Sequence, residues 1–294
     1  MAGLYIGLMS GTSLDGVDAV LADLESFPFR IVATHHDPFD PDLKARLLAV
    51  HLPDGDELHR AAELGNALAL RYADAALEMV AESGVDPARI QAIGCHGQTV
   101  RHRPELGFTV QLGNAALLAE ATGFTVVADF RSRDIAAGGQ GAPLVPAFHA
   151  VAFRDPRIHR AVVNIGGIAN ITNLPPQGAV TGFDCGPGNM LLDAWCARHL
   201  GKPYDADGAW AASGRVLPEL LDALLGDPWF ALPPPKSTGR DLFNTTWLER
   251  RLGGAEQPAD FQATLLALTT LAITRALQEH CRGVQEVYLC GGGA

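Results

Sequence analysis

The segment Ser10–Asp18 carries the residue types that bind phosphate groups. It contains two glycines, three hydroxyl side chains and two aspartates. Such a turn can direct several backbone N–H groups and hydroxyls at phosphate oxygens. Because carboxylates repel phosphate, Asp15 and Asp18 fit this chemistry best with a bridging Mg²⁺ ion. An ordinary hairpin turn, rich in Gly, Ser and Asp, explains the same residues equally well.

Two further glycine-rich turns follow apolar runs of the sequence. One is Asn164-Ile165-Gly166-Gly167, and the other is Cys290-Gly291-Gly292-Gly293. A glycine pair lets the backbone close on a γ-phosphate, although a hairpin turn has the same composition. Three consecutive glycines favour the close approach of a flat ligand. Together with the first turn, they predict the two-lobed layout of an ATP clamp.

Strands and helices alternate along the chain, which predicts the α/β class. Strands are predicted at 4–9, 17–24, 30–34, 90–95, 108–112, 124–128, 159–165, 169–174, 180–183 and 284–290. Helices are predicted at 41–50, 57–83, 114–122, 189–200, 214–225 and 261–280, with a glycine-rich loop over 129–143. Hairpins near residues 10 and 166 indicate a coarse duplication. We expect an N-terminal lobe at 1–135 with the first phosphate loop, and a second lobe at 136–294 with the second turn and the start of an adenosine motif.

Composition narrows the possible partners and the compartment. The 294 residues include 33 acidic and 22 basic side chains, a net charge of −11. Such a surface repels nucleic acid and anionic lipid, so neither is an expected partner. No run of 18 apolar residues occurs and the first residues lack a basic segment, which predicts no membrane span and no signal peptide. Five widely spaced cysteines without a C-x-x-C pair predict reduced thiols in the cytoplasm and no zinc site.

A series of longer motifs runs through the chain in a fixed order. They are MSGTSLDGVD at 9–18, HGQT at 96–99, ADFR at 128–131, GGQGAPLVP at 138–146, NIGG at 164–167, GFDCGPGN at 182–189 and KSTGR at 236–240. The series closely resembles the anhydro-N-acetylmuramic acid kinases, members of the actin-like, sugar-kinase and heat-shock ATPase superfamily. The resemblance covers essentially the whole chain.

The resemblance implies a fold and a reaction. The fold is two-lobed and actin-like (ribonuclease H-like), with an ATP cleft between the lobes. The reaction uses ATP and Mg²⁺ to phosphorylate the 6-oxygen of 1,6-anhydro-N-acetylmuramate while water opens the anhydro bridge. The products are N-acetylmuramate 6-phosphate and ADP, in peptidoglycan recycling. Family members look longer, so we expect the chain to be C-terminally truncated. A homodimer is plausible, but nothing in the sequence fixes an interface.

The resemblance also gives the candidate residues their roles. Asp184 is the expected base and substrate contact, and His96, Gln98 and Arg131 are the other expected sugar contacts. Arg131 suits the lactyl carboxylate of the sugar, since arginine binds carboxylates bidentately. The nucleotide-binding candidates are Gly11, Thr12, Ser13, Leu14, Asp15, Gly16, Val17, Asp18, Asn164, Gly166, Gly167, Gly291, Gly292 and Gly293. Asp18 is also the expected Mg²⁺ contact, through water.

Each assignment has a structural alternative. Asp184 would otherwise be a turn or helix-capping residue, His96 a buried structural histidine and Arg131 a surface charge. Lys236, followed by Ser237 and Thr238, suits a phosphate contact or a surface loop about equally.

Two other functions stay open at this point. One is an ATPase or phosphatase of the same fold that uses water as acceptor, and the other is a non-catalytic sugar-binding protein. The first would not need Arg131, the His96–Gln98 pair and Asp184 together. The second would tolerate a damaged turn between Asp15 and Asp18, and that turn is intact.

Overall fold

The computed structural model describes residues 3–51, 55–254 and 256–294. The chain forms two compact units, Met1–Gly141 and Ala142–Ala294. The boundary expected from the sequence lies six residues earlier, after residue 135. Each unit carries one main sheet with helices against it. The α/β class predicted from the sequence is therefore confirmed.

The first unit is built on a five-stranded sheet of order β3-β2-β1-β4-β7, beside a separate β5-β6 pair. Its strands are β1 Leu4–Met9, β2 Gly16–Asp23, β3 Arg30–Pro38, β4 Ile90–Cys95, β5 Gln98–Arg103, β6 Phe108–Leu112 and β7 Val126–Val127. Its helices are α1 Pro41–Ala49, α2 Glu57–Ser83, α3 Ala115–Thr122 and α4 Phe130–Ala136. Every second residue of β1 is buried, and the buried residues of α2 recur at helical spacing. These residues pack together in the core of the first unit.

The second unit is built on a four-stranded sheet of order β10-β9-β8-β11. Its strands are β8 Arg160–Ile165, β9 Ile168–Leu174, β10 Thr181–Pro187 and β11 Glu286–Cys290. Its helices are α5 Pro146–Phe153, α6 Met190–Leu200, α7 Ala209–Ser213, α8 Pro218–Leu225, α9 Thr245–Glu249 and α10 Pro258–His280. Helix α10 covers one face of the sheet, where Val163, Ile171 and Phe183 pack near Ile273.

The two sheets share one topology. In the first unit β1, β2 and β3 form an antiparallel meander, and β4 runs parallel to β1. In the second unit β8, β9 and β10 form the same meander, and β11 runs parallel to β8. This repetition confirms the duplication that the two hairpins predict.

The prediction of a glycine-rich loop over 129–143 is wrong for its first half, because Phe130–Ala136 form α4. The strand expected at 124–128 is limited to Val126–Val127. Asp129 has a φ of 61° and turns the chain directly into α4. Strand β5 and helices α5, α7 and α9 were not predicted, because tertiary contacts stabilise such short elements more than local propensity does. Among the described helices, none is long and apolar enough to cross a bilayer.

Candidate active site

The first glycine turn, residues 10–15, joins β1 to β2 and is fixed from inside the first unit. Ser10 is buried, and its Oγ lies 2.5 Å from the hydroxyl of Tyr72 on α2. Leu14 is fully buried although its φ is 54°, and its N–H donates to the Gly11 carbonyl at 3.2 Å. Val17 is also buried, so Leu14 and Val17 could offer a nucleotide only their backbone groups.

The outer side of this turn carries the acidic groups. Asp15 and Asp18 are exposed, and Asp18 Oδ1 lies 2.8 Å from Nδ1 of His36. Open space surrounds Gly11 where a side chain would begin. In the described part of the chain, no group of three His, Cys, Asp or Glu side chains could hold a metal ion. A single exposed carboxylate such as that of Asp18 is enough for Mg²⁺, because this ion keeps several water ligands and takes phosphate oxygens as others.

His96 and Arg131, both expected at the sugar site, lie together. His96 follows β4, and its N–H donates to the Leu8 carbonyl at 2.9 Å. Arg131 Nε donates to His96 Nε2 at 2.8 Å. Since a guanidinium only donates, Nε2 of His96 carries a lone pair, and Nδ1 holds the proton that it donates to the Gly97 carbonyl at 2.6 Å. Burial, together with the positive charge of Arg131, lowers the pKa of His96 to about 4. His96 is therefore neutral at pH 7.

The glycine-rich segment after α4 folds back onto that helix. Asp134 Oδ2 accepts the Gly141 N–H at 2.7 Å, and a guanidinium N–H of Arg131 donates to the Gly141 carbonyl. A Cβ on Gly139 would overlap the carboxylate of Asp134. Arg133, two residues from Arg131, is exposed. Arg131 is thus held between His96 and this segment, which differs from a freely moving surface charge.

Gln98 connects the first turn to the neighbourhood of His96. Its side chain is buried, and Nε2 donates to the carbonyls of Gly11 and Thr99, each at 3.3 Å. Its Oε1 is buried and has no hydrogen-bond partner among the described residues. A buried acceptor without a partner costs about 1–3 kcal/mol. This oxygen is therefore a place where a ligand or water donor would bind favourably.

In the second unit, the second and third glycine turns lie side by side. Cys290, at the end of β11, pairs with Asn164 near the end of β8. The N–H of Gly293 donates to the Ile165 carbonyl at 3.0 Å, and Gly291 has a φ of 91°. The nucleotide candidates Asn164, Gly166, Gly167, Gly291, Gly292 and Gly293 therefore form one cluster.

The second turn also contacts the segment before α6. The Gly167 carbonyl accepts the N–H of Gly188 at 2.9 Å, and the Gly166 carbonyl accepts that of Asn189 at 2.8 Å. A Cβ on Gly188 would overlap the Gly166 carbonyl oxygen. Glycine at position 188 is thus required for this close approach of two backbone segments.

Asp184 is buried on β10, just before a bulge. Its N–H donates to the Lys236 carbonyl at 3.0 Å, and its Oδ2 accepts the Thr238 N–H at 2.9 Å. Helix α6 begins six residues later, at Met190, with Asn189 at its N-cap. Asp184 therefore does not cap that helix, and its carboxylate is oriented by the backbone of the segment 236–238.

Neither alternative given for Lys236, a phosphate contact or a surface loop, fits its inward-facing ammonium. Lys236 is buried, and its Nζ donates to the carbonyls of Phe230 at 2.9 Å and Trp229 at 3.4 Å. The ammonium also lies 4.4 Å from the centre of the Trp229 ring. Burial lowers the pKa of Lys236. Its role is to hold in place the segment that binds Asp184.

Sequence reasoning missed Asn170, which lies on β9 between Asn164 and Asp184. Strand pairing places it directly opposite both residues. Its Oδ1 is buried and has no partner among the described residues. Counting outward from a two-residue turn at Gly166-Gly167 pairs Asn164 with Ala169, so the turn alone does not give the observed pairing of Asn164 with Asn170.

Comparison with known proteins identifies the class of these two units. A family model described as anhydro-N-acetylmuramic acid kinase matches residues 3–294. A protein of that name from Nitrosospira multiformis is 58% identical over 295 residues, which cover 100% of this chain and 81% of the relative. Another, from Nitrosomonas europaea, is 57% identical over 292 residues, which cover 99% of this chain and 80% of the relative.

The chain therefore belongs to the anhydro-N-acetylmuramic acid kinase family. Among solved structures, an activator of the 2-hydroxyisocaproyl-CoA dehydratase from Clostridium difficile is 12% identical, with a TM-score of 0.44, over 99% of this chain and 80% of that one. A likeness this weak adds nothing to the family assignment.

Proposed function

We propose that the chain is an ATP-dependent kinase that phosphorylates the 6-oxygen of 1,6-anhydro-N-acetylmuramate while water opens the anhydro bridge. The products are N-acetylmuramate 6-phosphate and ADP. Family membership supports the kinase and its small-molecule substrate. The observation that carries the chemistry is the buried Asp184 carboxylate, which the Thr238 N–H orients within β10, opposite Asn170.

The substrate dictates what a base must do. In an anhydro sugar the 6-oxygen is bonded to the anomeric carbon and has no proton to lose. Asp184 instead takes a proton from water, whose oxygen bonds to the anomeric carbon. The bond from that carbon to the 6-oxygen breaks, and its electron pair stays on the oxygen. The freed oxygen attacks the γ-phosphorus, and ADP leaves with the electron pair of the bridging bond.

The glycine turns suit the phosphates of ATP. Backbone N–H groups around Gly11 in the first unit, and those around Gly166-Gly167 in the second, are each suited to the charge on phosphate oxygens. Bound Mg²⁺ neutralises phosphate charge, and Asp18 would hold it through water. Because Asp18 is 66% exposed, it can take this role without leaving a core position.

The cluster around His96 suits the sugar. Arg131 would bind the lactyl carboxylate, and neutral His96 would hold the guanidinium in place through Nε2. The Gln98 Oε1 would accept a hydrogen bond from a sugar hydroxyl or from the N-acetyl N–H.

The acidic surface supports the remaining parts of this proposal. A net charge of −11 disfavours nucleic acid and anionic membranes as partners. We place the protein in the cytoplasm, where its reduced cysteines and ATP fit. A homodimer stays a prediction.

Asp184→Asn tests the mechanism, because asparagine keeps the size of the side chain and still accepts the Thr238 N–H. The variant should bind ATP and sugar in calorimetry, yet turn over about 10²–10⁴-fold more slowly. Exposed Asp222 on α8 offers a matched control, and Asp222→Asn should keep full activity. In ¹⁸O-water the wild type should place the label on the anomeric hydroxyl and none in the phosphate.

Other results would favour the alternatives. ATP turnover that sugar does not change, with label in the phosphate, would favour an ATPase or phosphatase. Sugar binding with no ATP turnover would favour a sugar-binding protein. Ring-opened, unphosphorylated sugar released by Asp184→Asn would separate the two steps and give Asp184 another role.

A further inference from the structure

A polar row crosses three strands of the second unit. Asn170 on β9 is directly opposite Asn164 on β8 and directly opposite Asp184 on β10. Directly opposed residues of antiparallel strands point to the same face, with Cβ atoms about 4.5–5.5 Å apart. Asn170 therefore lies between the proposed base and the asparagine of the second glycine turn.

This row faces away from α10. Ile171, the next residue on β9, is fully buried in the cluster that α10 covers. Because successive side chains on a strand alternate between faces, Asn170 lies on the opposite face. The apolar contacts of the sheet with α10 thus do not involve the polar row.

The amide oxygen of Asn170 is shielded from solvent and accepts no hydrogen bond from any residue that the structure describes. Buried acceptors in proteins are nearly always paired, so an exception calls for a donor from outside the chain. A donor at this position would lie next to the Asp184 carboxylate. Water is the donor that the proposed reaction requires there.

We propose that Asn170 is a further residue of the reaction site and that its Oδ1 binds the attacking water. The proposal rests on the function proposed above. Water offers two hydrogens, of which one is donated to Asp184 and the other to Asn170. With both hydrogens held, a lone pair of the water oxygen is directed at the anomeric carbon. When the new bond to that carbon forms, one proton passes to Asp184, and the other hydrogen remains on the new anomeric hydroxyl.

The proposal predicts which nucleophile the site accepts. Methanol has a single hydroxyl hydrogen, so it satisfies Asp184 but leaves the Asn170 oxygen unpaired. The wild type should therefore form only the hydrolysed product in water–methanol mixtures. Asn170→Ala removes the second acceptor and leaves room for a methyl group, so it should also form the 1-O-methyl 6-phosphate. In that product the methanol oxygen bonds to the anomeric carbon, and Asp184 takes the methanol proton.

The experiment compares the wild type with Asn170→Ala and with the matched control Asn173→Ala. Asn173 lies on the same strand but on the other face, where its Oδ1 is 2.6 Å from Nε2 of His159. Asn170→Ala should lower kcat about 100-fold, as expected when a reactant is misplaced by about 1 Å, with KM unchanged for ATP and sugar. It should form the methyl product, and Asn173→Ala should not. If the alanine variant does not fold, Asn170→Ser should behave in the same way, because its hydroxyl lies one bond closer to the backbone and cannot bring an acceptor to the position of Oδ1.

Several outcomes would overturn the proposal. Wild-type kcat and an all-hydrolysed product from Asn170→Ala would show that Asn170 does not hold the water. Loss of ATP binding with an unchanged product ratio would assign Asn170 to the nucleotide. The methyl product from Asn173→Ala as well would show a general loosening of the sheet. An inactive wild type would overturn the proposed function itself, whereas an active wild type with a normal Asn170→Ala would overturn this inference alone.

Discussion

His96 in the first unit is neutral at pH 7, and acid should protonate it. Arg131 Nε donates to His96 Nε2 at 2.8 Å, and this bond needs an unprotonated Nε2. Protonation would replace the bond by repulsion between two cations. Arg131 would then lose one of the partners that orient it, so binding of the sugar carboxylate should weaken as His96 becomes charged.

The size of the effect follows from the two protonation equilibria of His96. The pKa of His96 is about 4 in the folded chain against 6.5 in the unfolded chain, so the unfolded state binds more protons between these values. The stabilisation is complete above pH 6.5 and is lost as the pH falls to about 4. The total loss is about 3 kcal/mol, of which about 2 kcal/mol falls between pH 7 and pH 5.

Two measurements check this prediction. Imidazole ¹⁵N NMR should show His96 with its proton on Nδ1 and a titration near pH 4. Hydrogen exchange of the β1 amides gives the free energy of opening at pH 7 and at pH 5. Between these pH values that free energy should fall by about 2 kcal/mol more in the wild type than in His96→Gln, which cannot titrate at this position. A His96 that titrates near 6.5, or equal losses for the two proteins, would refute the reasoning.

Two other substitutions test the first glycine turn. Asp18→Ala should weaken Mg²⁺-ATP binding in calorimetry and leave the fold intact, because the side chain is 66% exposed; unchanged affinity would contradict a role near the metal. Tyr72→Phe leaves the buried Ser10 hydroxyl without its partner, the Tyr72 hydroxyl 2.5 Å away. The free energy of opening that hydrogen exchange of the β1 amides reports should fall by about 1–3 kcal/mol. No change in that free energy would mean that water replaces the tyrosine hydroxyl.

The sequence predicts best those elements that local residue preferences or a periodic apolar pattern stabilise. Helix α2 was predicted at the bounds that it has, because its apolar residues recur at helical spacing and Gly84 ends it with a φ of 67°. Helix α4 was missed, because contacts of Arg131 and Asp134 with Gly141 hold its seven residues. Those contacts leave no periodic pattern in the sequence.

Some residues of the candidate site were likewise predictable from the sequence, and others were not. The resemblance of the sequence motifs, together with residue types after predicted strands, selected His96, Arg131 and Asp184. Which way a side chain points was not predictable for Lys236, since its ammonium turns inward to two carbonyls and an aromatic ring. Asn170 gains its significance only from strand register, because it stands opposite Asp184 across a pairing that neither residue specifies by itself.

The two glycine hairpins show how one strand topology carries two turns of different length and composition. In the second unit the turn is little more than Gly166-Gly167, and its carbonyls bind the segment before α6, so mainly backbone is offered to a ligand. In the first unit the turn is six residues long, and besides the buried Ser10 it carries Thr12, Ser13 and the exposed Asp15. That longer turn requires Leu14 at a φ of 54°, a conformation that costs about 1–2 kcal/mol in a non-glycine residue. Full burial of its side chain contributes about 1.5–3 kcal/mol, which offsets the strain.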